Sequence, residues 1–230
     1  MESLSVGLSR GLEFLFWYFV FWKFILLIFE PMIGPIKRIP VKELLDRLVG
    51  MTQSLTDEAR REFGTLSGKQ MNWKPKDKSW SISQCLAHLN AFYRYYIPVF
   101  NGKISNTRFT TPTTHFMSSP LGYAVSVSIK LGKLKNVKRR LKSSKDHNPV
   151  INKSLPTENA LQEYLEHQRN FIDTIIAASR INLRKAKCPL SVRPVVKLNI
   201  GDSLIYMVYH NERHIEQAKR VMRIPGFPAA

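Results

Sequence analysis

Apolar residues recur every three or four positions in four stretches of this chain, and each stretch is bounded by residues that start or stop helices. After Pro40, Leu44, Leu48, Met51, Leu55, Ala59 and Phe63 form the first stripe, which closes in the Gly64/Gly68 region. The second follows Ser81 and carries Ile82, Cys85, Leu86, Leu89, Phe92, Tyr93, Tyr96 and Ile97. Gln84, three residues after Ser81, completes an S-x-x-Q capping box, and Pro98 with Gly102 reads as this helix's end. The third, capped by Thr157, sets Leu161, Leu165, Phe171, Ile172 and Ile175 on one side. The fourth follows Gly201 and Asp202, an expected N-cap, with Leu204, Met207, Val208, Ile215, Ala218 and Met222 sharing one arc. Only SVRPVVKLNI alternates as a strand does, and Pro194 interrupts it. The pattern predicts an all-α domain built on four long helices.

Two segments fall outside that scheme. Residues 103–119 show no period and read as a loop, with His115 at the surface. In LGYAVSVSIKLGKLKNVKRRLK, Val127, Leu131, Leu134 and Leu141 form a stripe ringed by lysines and arginines, which predicts an inserted basic amphipathic helix. Such a helix either packs on the bundle through its stripe or lies on anionic lipid. The N-terminal stretch 11–29 is almost wholly apolar, and nine of its nineteen residues are aromatic. It lacks the basic flank and small-residue site of a cleaved signal. Glu13 and Lys23 interrupt it, so three readings stay open: an uncleaved membrane anchor, an interfacial segment, or a start upstream of Met32. The expected division is therefore residues 1–31, a hydrophobic N-terminal segment, and residues 32–230, the helical domain.

Charge sharpens the question of partners. Lys and Arg outnumber Asp and Glu by 35 to 17, a net +18, and between Asn101 and Pro156 eleven basic residues face one acid, Asp146. Such a surface wants anionic partners. No nucleic-acid recognition motif accompanies it, so nucleic acid is not expected. The expected partners are a small-molecule substrate, an anionic membrane surface and a second copy of the chain. Two cysteines, Cys85 and Cys188, make no disulfide framework, which points to a reducing, cytoplasmic setting. If residues 11–29 are an anchor, attachment is to the inner face of the membrane.

Candidate chemistry rests on histidines. His210 and His214 stand one helical turn apart, a spacing that brings two imidazoles to one metal ion, and both lie at the edge of the apolar arc. His88 lies on the buried side of the second helix. HNERH is not the metalloprotease H-E-x-x-H, because Glu212 sits about 200° around the helix from His210. No Gly-rich phosphate loop or nucleophile elbow is present. Gln217 is the nearest polar group on the histidine face and a candidate to orient a ligand. His167 falls off its helix's stripe and is expected to be exposed.

A Trp-Ser helix start (Trp80, Ser81), a histidine seven residues later (His88, with Leu89), and a late H-x-x-x-H-x-x-Q (His210, Arg213, His214, Gln217) resemble the DinB/YfiT-like family of metal-binding four-helix bundles. The resemblance extends from about Ile36 to Met222. It implies a bundle fold, with His88, His210 and His214 as ligands of a divalent metal; zinc, nickel and iron all suit imidazole. It also implies a metal-dependent S-transferase in which a low-molecular-weight thiol takes the open position, with hydrolase activity a looser association. The alternative is a non-catalytic, membrane-associated binding module that uses the basic helix.

Overall fold

The predicted stripes form four long helices in a computed structural model that describes residues 37–137 and 143–229. In chain order the helices are α1 (Val41–Phe63), the short α2 (Gly68–Asn72), α3 (Ile82–Asn106), α4 (Pro120–Ile129), α5 (Ala160–Ala177) and α6 (Ile200–Met222). Two small antiparallel pairs complete the unit: β1 (Ile39–Pro40) with β2 (His115–Phe116), and β3 (Lys187–Leu190) with β4 (Arg193–Asn199).

The long helices α1, α3, α5 and α6 make the bundle. Both α1 and α3 pack against α5 and against α6, so the order around the ring is α1, α5, α3, α6. Helices α1 and α3, consecutive among the four, thus sit across the core from each other. Their directions follow from named contacts. Lys219 near the end of α6 meets Glu58 late in α1, so these two run parallel. His88 and Tyr96 of α3 meet His210 and Tyr206 of α6, which makes that pair antiparallel. Asn90 bonds the Ala160 carbonyl and Thr174 bonds Asn101, so α3 and α5 run parallel.

The core is the set of stripe residues. Leu44, Ala59, Leu86, Leu89, Phe171, Ile175, Leu204 and Ile215 are fully sequestered, and Tyr93, Tyr96, Phe100 and Tyr164 fill the centre. Each large side chain so buried contributes roughly 1.5–3 kcal/mol, and this burial holds the helices that present the histidines.

Several local expectations need correction. Pro98 lies inside α3, which continues to Asn106 because Tyr96 and Phe100, on either side, are locked in the core. Asn159, not Thr157, caps α5, in a left-handed conformation (φ 52°). Asn199 caps α6: its side chain accepts the Asp202 N–H at 2.7 Å. Asp202 is instead buried at the third position, where its Oδ2 accepts from Ser119 N–H, Ser119 Oγ–H and Asn199 Nδ2–H. This bond set pins the start of α4 to α6. A side chain at Gly122 would collide with that carboxylate at 2.0 Å, which explains the glycine. The alternating segment is a real strand, β4, with Pro194 near its start where the ladder needs no donor from it.

The basic amphipathic helix is shorter than its pattern predicts. Helix α4 ends at Ile129 and buries Gly122, Ser126 and Ile129, before the lysine run begins. Residues 130–137 turn instead, with Lys135 at φ 52° and Leu134 90% exposed. Gly132 and Lys135 close that turn through the bonds Gly132 N–H to Asn136 O and Lys135 N–H to Gly132 O. Leu134 is therefore at a turn apex rather than on a stripe. Leu141 and the neighbouring arginines lie outside the described residues, as do residues 11–29. Among the described residues no helix is long and apolar enough to cross a membrane.

Candidate metal centre

The Ser81 capping box fixes the start of α3. Ser81 Oγ accepts the Gln84 N–H at 3.2 Å, and Gln84 Oε1 accepts the Ser81 N–H at 3.1 Å. With that register set, His88 faces the core at 2% exposure, against the face of α6 that carries His210 (6%) and His214 (8%). The three rings converge: their centroids are 4.4–5.1 Å apart. One nitrogen of each lies within 4.8 Å of the others.

The nitrogen positions suit an ion. His88 Nε2 and His210 Nε2 are 3.3 Å apart. Two ligands on a tetrahedral ion with arms of about 2.0–2.1 Å are about 3.3 Å apart. Proton placement tells the same story. The His147 carbonyl accepts from His88 Nδ1 at 2.5 Å, which leaves the His88 Nε2 lone pair facing the cluster. That outer bond is the kind that orients a ligating histidine. The Nδ1 atoms of His210 and His214 are buried without a protein partner. Each neutral imidazole offers a single lone pair, and a cation at the point of convergence would take one from each ring.

Electrostatics keep the imidazoles neutral, as metal ligands must be. Burial pushes His88 down to about 4, opposed by its bond to the His147 carbonyl. His210 and His214 lie well below the ordinary histidine range, through burial first and then through His88 beside them, with Arg213 adding to both. Gln217, half-buried three residues on, has its side chain near His214 and opposes that shift.

Aromatic rings wall the cluster. Trp80 stacks on His214 (5.7 Å, 19°), Tyr206 on His210 (5.6 Å, 11°), and Phe92 lies 4.9 Å from His88 and 4.3 Å from His210. No carboxylate or thiol joins the group among the described residues, although Cys85 is buried one turn before His88. Burial raises the Cys85 thiol far above its usual range, so it is a core hydrophobe.

The remaining histidines separate cleanly. His115 is exposed in β2. His167 is half-buried rather than exposed, held 3.2 Å from Glu163 and away from the triad. His147 is the residue that the sequence pattern does not reveal. Its ring lies 4.4 Å from Phe92 and 6.5 Å from His88, with Nδ1 held 2.9 Å from Ser144 Oγ. Its contact with His88 is through the main chain, which leaves no signature in side-chain periodicity. Glu212 faces Lys130 and Lys135, away from the cluster.

A helical bundle with three buried imidazoles brought together from two helices is an arrangement that could hold a metal ion. The family model of the DinB superfamily matches residues 46–218, and the chain belongs to that superfamily. Among solved structures it is similar to YfiT from Bacillus subtilis, described as a probable metal-dependent hydrolase with an unusual four-helix bundle topology. That likeness has a TM-score of 0.51 at 14% identity, covers 85% of this chain and 95% of that one, and concerns the fold. No curated protein matches the chain significantly.

Proposed function

We propose that this protein is a metal-dependent enzyme of the DinB superfamily that binds one divalent ion through His88, His210 and His214 and transfers a small thiol to an electrophilic substrate. The convergence of three neutral, buried imidazoles, with no carboxylate joining them among the described residues, carries this reading. Held by His88, His210 and His214, a divalent ion would keep its full charge and would supply stabilisation of a thiolate or acidification of a water.

The chain's own residues supply the rest. The His147 carbonyl holds His88 in the tautomer that offers Nε2. Trp80, Phe92 and Tyr206 keep bulk water from the imidazoles. Gln217 is placed to orient His214 or a bound ligand. Thiol transfer is favoured over hydrolysis because a hydrolase needs a general base beside its water. The acids of this region are engaged elsewhere: Glu216 with Lys135 and Lys219, and Glu163 with Arg94.

The test is elemental analysis of purified protein, followed by thiol-conjugation assays on metal-loaded samples. One equivalent of zinc, nickel or iron, with thiol-dependent loss of an electrophile, is the expected result. Folded protein that takes up no metal when offered zinc and nickel would overturn the reading. Metal uptake with ester or amide hydrolysis independent of thiol would replace transfer by hydrolysis.

A further inference from the structure

The end of the bundle farthest from the histidines carries an excess of exposed positive charge. His88 lies near the start of α3 and Asn106 closes it, so about 27 Å of helix separates the metal site from this end. Here the N-terminus of α1, the C-termini of α3 and α5, and the start of α6 meet. Asn182 N–H bonds the Phe109 carbonyl, Gly201 N–H bonds the Leu183 carbonyl, and Val41 N–H bonds the Thr114 carbonyl.

Between Asp173 and Asp202 the sequence has no acid and six cations: Arg180, Arg184, Lys185, Lys187, Arg193 and Lys197. All six are exposed. Arg108 and Lys103 adjoin them from the end of α3, and Lys37 and Arg38 from the chain's entry into the domain. Among the described residues none of these forms an ion pair with a carboxylate, which is equally so of Lys69, Lys74, Lys76 and Lys78 at the opposite end; what sets this end apart is the number of cations and the apolar groups beside them. Glu43, Asp46 and Asp173 are the exposed acids nearest this end on the adjoining helices, and Asp46 pairs with Lys42.

Apolar groups stand among these charges. The β3–β4 hairpin starts at this end and runs back along the flank of α3, where Ser191 N–H bonds the Tyr96 hydroxyl, and it exposes Val192 (49%) and Val195 (82%), next to Arg193 and Lys197. Leu190 and Leu198, near them in the same hairpin, are buried, so the fold had the means to cover apolar side chains and left these two out.

We propose that this basic end, with the β3–β4 hairpin, is a docking face for an anionic phospholipid surface. Cations supply attraction to the headgroups, and Val192 and Val195 enter the boundary beneath them. Exposed valines favour a bilayer over nucleic acid, because sugar and phosphate offer them nothing. The aromatic ring of this region, Phe109, is half-buried under Arg108 and Lys185 rather than open for base stacking. The inference does not depend on the metal reading.

The experiment is co-sedimentation of the full-length protein with phosphatidylcholine vesicles, with and without phosphatidylserine. The readout is the increment in binding that phosphatidylserine brings, which separates charge recognition from simple insertion of residues 11–29. Each basic residue at the surface is worth about fivefold in partitioning. The R180E/R184E/K185E/K187E variant is therefore expected to lose the increment by more than about 100-fold, and V195D to lower it several-fold. Metal content stays unchanged in both. A K69E/K74E/K76E/K78E control, on the opposite end, is expected to keep the greater part of the increment. An increment that survives the first reversal, or falls equally in the control, overturns the proposal. So does salt-sensitive binding to random single-stranded RNA that outcompetes the vesicles, which would make the face a nucleic-acid surface.

Discussion

Helix α6 buries two polar clusters about a turn apart, and they are built on opposite rules. Toward α1 it buries Glu216 and Lys219, which pair with each other at 2.8 Å and with Lys135 and Glu58 respectively. Burial alone would raise the Glu216 carboxyl, but hydrogen bonds from Lys219 and Lys135 bring it below its ordinary value. Toward α3 it buries His210 and His214 against His88, three groups of one kind that only repel when protonated. The first cluster is closed by opposite charge and explains itself as structure. The second is incomplete within the chain and becomes complete with a cation. A buried polar group whose partners are present reads as architecture; one whose partners are missing reads as a site.

The contrast can be broken at either cluster. His210→Ala has the largest expected effect: it leaves two imidazoles and abolishes stoichiometric metal, measured by elemental analysis, while the fold persists by circular dichroism. Retention of a full equivalent would refute the ligand assignment. Lys219→Met should do the reverse, keeping the metal but destabilising the domain by about 3 kcal/mol in urea unfolding, because it leaves Glu58 without its cation and the buried Glu216 with Lys135 alone. Metal loss in that variant would mean that the clusters are not independent.

Acid provides a third test, in metal-free protein. His88 titrates at about 4 when folded and near 6.5 when unfolded, so between those values the unfolded chain binds more protons. Stability should fall as pH drops below about 6.5, by on the order of 3 kcal/mol from His88 alone by pH 4. His88→Gln should flatten that slope; an unchanged slope would assign it to other groups. Gln217→Ala comes last, with about a tenfold weaker metal affinity and unchanged stoichiometry, as for a residue that only orients a ligand. His167→Ala, beside Glu163, should change neither quantity.

Much of this was legible in the sequence because helices advertise themselves. The stripes led by Leu44, Leu86, Phe171 and Leu204 are the core, and the Ser81–Gln84 box marks where α3 begins. His210 and His214 followed from one-turn spacing, and His88 from the pattern it shares with the superfamily. What stayed hidden is what depends on main chain or on long-range packing. The His147 carbonyl could come from any residue type. Pro98 is tolerated only because of its neighbours in the core, and Asp202 serves as a buried acceptor only because Ser119 arrives from 83 residues away. Leu134 misled because the periodicity of a turn rich in lysine imitates a helix until Gly132 reverses the chain.

The ring order of the bundle also bears on how the protein is made. His88 and His210 are separated by 122 residues, and the helices between them must be laid down before the two can meet. Closing so long a loop is slow, and the free energy of coordination becomes available only after it closes. An ion therefore cannot nucleate this fold as it does a zinc finger. It can only reward a chain that has already folded, so metal occupancy would report on finished molecules and pass over nascent ones.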